Sequence, residues 1–522
     1  MMVDLLFKNC RIVDGTGAPW FRGDVAVRGD RVDAVGRLRA AKASRVVDLE
    51  DRYIAPGFID MHSHSDLFLL IDPRAEAKIR QGVTTEVVGH CGASASPLLG
   101  EAARDVEREW KEHLAPGEVD WRTTREYLQR LEEACPTLNC AALVGHGTLR
   151  EGVCGSRASA LDKTQRKTMV RWLSRSLREG AAGLSTGLVY TPSIHATTDE
   201  LIELCGTVRR FGGIYCTHMR SRSEPPPTAV EEVIQIARSS GCRCHIAHVH
   251  GKTDDVALIE TARGEGLDVS FDQYPYTASS SGLSLLLPVW MKEGTNDEFM
   301  ARLRDPSLRR RLERTETFPP PNTVVITRLH DPSRQWMQGK NLSEIVAETG
   351  QSLVDCLCDL LLQEEGRVGM VKFDQDEEGV RSVMKSSLAI VASDGSSYAC
   401  DGPLRVGLPH PRSFGAFARM LGHYVREEGV LSLETAVRQM TSAPASRVGL
   451  EGRGVLKRGS RADLVVFDAE TVKDTATYMD PFRYPAGILL VVVNGEIVLE
   501  QGRLTGQRPG KVLKLKRDGT VK

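Results

Sequence analysis

The chain has 522 residues, 41% hydrophobic and 26% charged, and its 68 basic and 69 acidic side chains leave a formal net charge of -1. At roughly 100–200 residues per domain this is enough for two to four domains, or for one α/β barrel with additions. The flat charge balance excludes a polyelectrolyte partner, whether nucleic acid or anionic membrane, and leaves a small molecule read by a local site.

No run reaches the roughly 18 apolar residues of a membrane span, and the stretch from Met1 to Ile12 carries Asp4 and Lys8 among its apolar positions. With neither secretory signal nor anchor expected, the chain is placed in the cytoplasm. Its 12 cysteines are accordingly expected as reduced thiols.

Residues 1–56 read as short strands broken by Gly and Asp turns: DLLFKNCRIVDGTG, GDVAVRGDRVDAVG and SRVVDLEDRYIAPG. From Gly57 the texture changes to a short apolar strand followed by a polar-faced helix, repeated. Strands are predicted at 57–62, 83–91, 140–146, 181–187, 212–218, 244–248, 267–272 and 388–394. Helical stretches such as TTREYLQRLEEA and LDKTQRKTMVRWLSRSLREG lie between most of them. Eight strands in this alternation predict a closed parallel (β/α)8 barrel over 57–440, ahead of an open doubly wound sheet. Over a hundred residues separate the last two strands. An insertion of about 288–345, charged and Pro-rich from Pro288 to His330, is expected there beside the barrel mouth. Residues 441–522 return to β texture in RADLVVFD and ILLVVVNGEIVLEQG, with a hairpin signal at Asn494-Gly495.

In a parallel barrel the chemistry sits at the C-terminal ends of the strands. The polar residues there are His62 and His64, Cys91, His218, His248 and Asp394. The first two form His-x-His, and residues two apart on a strand share a face. Imidazole, thiolate and carboxylate are the ligands zinc prefers, so a mouth that collects them suits metal-assisted hydrolysis. Singly, each has a plain structural reading: a hydrogen-bonded strand-end histidine, a buried thiol, a turn at Asp394-Gly395. His90 and His146 are expected to be structural, and the pairs Cys242/Cys244 and Cys356/Cys358 to be core thiols.

The segments APGFIDMHSHSD, GVTTEVVGHCGASASPL, GLSTGLVYTPSIHATTDELIEL, GGIYCTHMRSRSE, HIAHVHGK, GLDVSFDQYPYTASSSGLSLLLP, VASDGS, LPHPRSFGAFARMLGHYVRE and TSAPASRVGLEGRGVLKRGSRADLVVFD run in order through nearly the whole chain. Together they resemble the N-acyl-D-amino-acid deacylases, or D-aminoacylases, of the amidohydrolase superfamily. The resemblance implies a zinc-dependent hydrolase that cleaves the acyl amide of N-acyl-D-amino acids. It implies a composite β-sandwich built from both termini and an insertion before the last barrel strand. Carried over by motif, Cys91, His218 and His248 match the tight zinc ligands, His62 and His64 a weaker second metal position, and Asp394 the acid/base. For the substrate carboxylate the candidates are Tyr190, Arg220, Tyr276 and Arg412.

The chain departs from the family pattern at two points. Where the family usually has a lysine two residues after the metal histidine, this chain has His250, with Lys252 following; the usual Asn before the cysteine is His90. Two rival functions remain at this point. Cyclic amide hydrolases of the hydantoinase and dihydroorotase type share the barrel but typically use a carboxylated lysine on the fourth strand, and AAGLSTGLVYTP contains none. A barrel kept only as a binding protein would be expected to lose metal ligands, and all six positions are present.

Overall fold

The computed structural model describes residues 2–39, 41–112, 117–156, 160–220, 228–251, 253–516 and 518–522. Five strands open the chain: β1 (Met2–Ile12), β2 (Phe21–Arg28), β3 (Arg31–Gly36), β4 (Lys42–Asp48) and β5 (Tyr53–Pro56). The barrel strands are β6 (Phe58–Asp60), β7 (Val83–Val88), β8 (Asn139–Gly145), β9 (Gly183–Gly187), β10 (Ile214–His218), β11 (Arg243–Ile246) and β12 (Val269–Gln273). After an interlude holding β13 (Ser279–Gly282), β14 (Val324–Arg328) and β15 (Gly369–Lys372), β16 (Ala389–Val391) is the eighth. The chain closes with β17 (Leu464–Phe467), β18 (Ile488–Val493), β19 (Glu496–Glu500) and β20 (Arg503–Leu504).

The eight barrel strands pair in parallel in the order β16-β12-β11-β10-β9-β8-β7-β6, each within a predicted segment or overrunning one of its ends by a single residue. They are short because both faces are covered, which favours continuous apolar runs over alternation; every residue of β7 is buried. The ring closes at its C-terminal end, where Ser63 bridges Gly395, the His64 amide donates to the Gly395 carbonyl (3.0 Å) and the Asp394 amide to the His62 carbonyl (2.9 Å). The seam between first and last strand therefore lies at the candidate chemical residues themselves.

The covering helices follow from local signals. The helix Lys163–Glu179 starts at Asp162, whose side chain accepts from the Thr164 and Gln165 amides, and stops at Gly180, which takes the left-handed conformation. Its buried stripe of Met169, Leu173 and Leu177 packs into the main barrel core. Truncating one of these leucines to alanine is worth about 2–5 kcal/mol.

Both chain ends meet in one mixed nine-stranded sheet, with β5 antiparallel to β17 (Ile54 opposite Val466). Phe7, Val25, Ile54, Val466 and Val492 share its core. The interlude forms a separate antiparallel sheet in the order β13-β15-β14, over a core containing Met291, Phe299, Val324 and Leu357. This sheet starts before residue 288 and ends after 345, because its first and last strands along the chain, SSSG and GMVK, are too short to stand out as apolar runs. All twelve cysteines are free thiols, and Cys242, Cys244, Cys356 and Cys358 are buried. Among the described residues no helix is long and apolar enough to cross a membrane.

Candidate active site

Six side chains converge at the barrel mouth as two overlapping groups. One contains His62, His64, Cys91 and Asp394, the other Cys91, His218 and His248; within each group the donor atoms lie within 4.8 Å of one another. Cys91 Sγ is 3.3 Å from His62 Nε2 and 3.8 Å from His248 Nε2. Asp394 Oδ1 is 2.9 Å from His64 Nε2 and 3.2 Å from His62 Nε2. A tetrahedral zinc with bonds of about 2.0–2.3 Å sets its donors roughly 3.3–3.8 Å apart; the Cys91 sulfur stands from the His62 and His248 imidazoles at that spacing, and the Asp394 carboxylate lies nearer, at hydrogen-bond distance from His62 and His64.

The backbone holds these groups under strain. Cys91, His248 and Asp394 all have positive φ, at 52°, 34° and 48°, a region that costs a non-glycine residue of order 1–3 kcal/mol and clusters at functional sites. Each follows a barrel strand and turns its side chain inward where the chain bends away. Close approach of the neighbouring strands makes this possible: a Cβ on Gly187 would stand 2.1 Å from the Cys91 carbonyl oxygen, and only glycine fits.

A fully buried polar network lies behind the His-x-His segment. Lys78 Nζ donates to Asp60 (2.6 Å) and Ser393 Oγ (2.7 Å) and stands 3.0 Å from Glu86. Glu86 in turn accepts from Ser63 (2.7 Å), Ser65 (3.1 Å) and Ser397 (3.0 Å). One lysine thus ties the ends of β6, β7 and β16 together, flanking both His62 and Asp394.

Electrostatics favour charged partners at the centre. Burial opposes ionisation of Cys91, but the imidazoles of His62, His218 and His248 together outweigh it and hold the thiol well below its usual range. Burial likewise opposes ionisation of Asp394, and the guanidinium of Arg412, 2.8 Å away, together with His62 and His64 keeps the carboxyl well below its usual range. On the wall, burial pushes Asp66 up to about 6.

Five of the six, all but the fully buried His62, line a cavity of about 730 Å³, a volume suited to a small molecule. Tyr190, His250 and Arg412 line it too. Two other candidates face elsewhere. Arg220 pairs with Glu232 (2.9 Å) and donates to the carbonyls of Ile194 (2.8 Å) and Ala196, so it clamps the loop after Tyr190. Tyr276 is buried outside the cavity lining and donates to Asp474 (3.1 Å). Lys252 lies outside the described residues. Tyr274, which sequence reasoning passed over, lines the cavity with the Arg412 guanidinium 4.6 Å from its ring centre. The strand-end position of QYPY after β12 is the signal for it, with the first tyrosine as the inward one. His146 is structural, between Ser193 and Glu200 (2.9 Å each).

The far wall is built by the helices Gly100–Glu112 and His146–Cys154 and by the interlude between β12 and β16. Asp105, Glu109, Glu112, Glu151, Ser279, Arg328, Arg367 and Lys372 line it. Its cations are neutralised locally: Arg328 (3.7 Å) and Arg367 pair with Glu112, and Lys372 with Asp374 (2.9 Å).

The amidohydrolase family model matches residues 45–295 and 396–499. The chain is 36% identical to the D-aminoacylase of Alcaligenes xylosoxydans xylosoxydans over 98% of its own length and 97% of that protein. It is 35% identical to the N-acyl-D-glutamate deacylase of the same organism, over 99% and 98% of the two chains. Among solved structures, the N-acyl-D-glutamate deacylase of Bordetella bronchiseptica, complexed with zinc and a phosphonate mimic of the tetrahedral intermediate, superposes with a TM-score of 0.83 at 33% identity, covering 98% of this chain and 100% of that one. The chain belongs to the N-acyl-D-amino-acid deacylase (D-aminoacylase) family of metal-dependent amidohydrolases.

Proposed function

We propose that this chain hydrolyses the acyl amide bond of N-acyl-D-amino acids, releasing a carboxylate and a free D-amino acid. The observation that carries the reading is the Cys91 thiol at the junction of two groups of ligand-type side chains, beside a buried carboxylate and a buried arginine. Cys91, His218 and His248 would hold one tight zinc, and His62 and His64 a weaker second ion. A zinc ion held there supplies a Lewis acid for the scissile carbonyl and brings the pKa of a water to about 7.

The remaining work falls to the chain's own groups. Asp394, ionised at neutral pH, accepts the proton of the attacking water on its carboxylate and delivers it to the leaving nitrogen. Arg412 and Tyr190 present a guanidinium and a hydroxyl to the substrate's α-carboxylate, with Tyr274 fixing the guanidinium plane from below. His250, whose ring stacks 5.4 Å from that of His248, lines the wall where the family pattern has a lysine. Burial of the cluster keeps bulk water from competing with these contacts.

A panel of N-acetyl-D- and N-acetyl-L-amino acids, run beside hydantoins and scored for amine release, tests the proposal. Release from the D series alone is the expected result. Ring opening without deacylation would replace it with the cyclic-amide reading, which lacks a lysine in Gly183–Gly187.

A further inference from the structure

Asp272 is the last but one residue of β12, fully buried and absent from both groups of candidate ligands. It nevertheless meets two of them. Its carboxylate stands 3.1 Å from His62 Nδ1 and accepts the backbone amide of His248 at 2.7 Å. A third contact, from His245 Nε2 at 2.9 Å, completes the set, and His245 is itself fixed by Ser270 at 2.8 Å from its Nδ1. The opposite edge of the His62 ring, Nε2, faces Cys91 and Asp394. One face of that ring stacks on His90, with centres 4.3 Å apart.

We propose that Asp272 is the positioning residue that commits His62 to metal binding through Nε2 and so creates the second metal position. The inference rests on the reading of the two groups as metal ligands given above. A carboxylate only accepts, so it selects the His62 tautomer with the proton on Nδ1 and the lone pair on Nε2. It sits on strand seven of the barrel and reaches residues that follow strands one and six, which sets the two groups in register with each other.

The consequence of an amide at this position follows from donor counting. The backbone N–H of His248 can only donate, so the amide oxygen has to stay on its side. The NH2 then faces His62 Nδ1 and His245 Nε2, and both must accept. A His62 that accepts at Nδ1 carries its proton on Nε2 and has no lone pair there for a metal. D272N is therefore expected to weaken the position served by His62 and His64 and to spare the one served by Cys91, His218 and His248.

The experiment is a cobalt titration of metal-stripped full-length protein, read by equilibrium dialysis and by the thiolate-to-cobalt absorption that reports Cys91. Wild type is expected to take up one tight and one weaker equivalent. D272N keeps the first equivalent and its absorption band, while its affinity for the second falls by about 10–100-fold. A second equivalent bound by D272N as tightly as by wild type overturns the inference and leaves the ligand reading intact. A wild type that never binds a second equivalent also overturns it. Loss of both equivalents in D272N reduces Asp272 to a general structural role, which likewise counts against it. S270A, which removes only the hydroxyl that fixes His245, covers the case in which D272N does not fold. The second equivalent weakens there too, and an unaltered affinity rejects the proposal.

Discussion

The cavity has two walls of different construction. One is the ring of strand ends carrying Cys91, His218, His248 and Asp394; its side chains hang from short, fully paired strands and are fixed from behind by Lys78, Asp60, Glu86 and Asp272. The other is formed by the helices Gly100–Glu112 and His146–Cys154 with the interlude between β12 and β16, where charged side chains pair among themselves near solvent. A buried, hydrogen-bonded carboxylate is held to one geometry, whereas an exposed ion pair is worth about 0–1 kcal/mol and can be re-formed. On the proposed function, the first wall carries the reaction and the second is the one open to retuning for the substrate's side chain.

The comparison breaks most readily at the strand ends. C91A removes the donor shared by both groups; zinc content is expected to fall to background and turnover with it, and a variant that retains its zinc would remove Cys91 from the ligand set. D394N should keep zinc while turnover falls by about 10²–10⁴-fold, the usual worth of a positioned acid/base. A wild-type rate in D394N would place the proton transfer elsewhere. R412K keeps the charge but loses the planar fork, and kcat/KM for the D substrates is expected to drop by about 10–100-fold. An unchanged value would exclude Arg412 from carboxylate recognition.

The same contrast decides what could be read from the sequence. All eight strands were legible because a strand covered on both faces is an apolar run, and five of the runs ended in ligand-type residues that needed a reason. The second wall was not legible in that way. Its strands SSSG and GMVK carry too little apolar signal, and its helix Gly100–Glu112 lines the cavity through polar residues that look like an ordinary solvated face. Arg220 and Tyr276 show a further limit. Both lie in motifs next to the site, but Glu232 and Asp474, distant in sequence or on another element, take up their polar atoms. Asp272 stayed hidden for the converse reason: nothing in VSFDQ says that its partners are His62, some 210 residues away, and the His248 backbone.

A milder perturbation tests whether the second wall can be retuned. Glu112 holds both Arg328 and Arg367 against the cavity edge. E112Q releases them, and the preference for N-acetyl-D-glutamate over N-acetyl-D-leucine, taken as a ratio of kcat/KM values, is expected to rise by about 2–5-fold, in keeping with a partly exposed ion pair. An unchanged ratio would show that these arginines do not reach the substrate.

The smallest effect concerns pH. Glu151 lines the second wall, and burial, reinforced by Asp105, pushes its carboxyl up to about 7. The unfolded chain titrates the same group near 4.3. The folded state therefore holds this proton more tightly, and the stability it contributes is complete below about pH 4 and lost as pH rises through about 7. Asp394 works in the opposite sense: its folded pKa is depressed, so its contribution is present at neutral pH and lost only as pH falls through that low value. E151Q removes the Glu151 contribution and leaves that of Asp394, so its thermal midpoint should decline less than wild type between about pH 5 and 8. Parallel declines would mean that Glu151 titrates as an ordinary surface carboxylate and that the second wall is as solvated there as its sequence suggests.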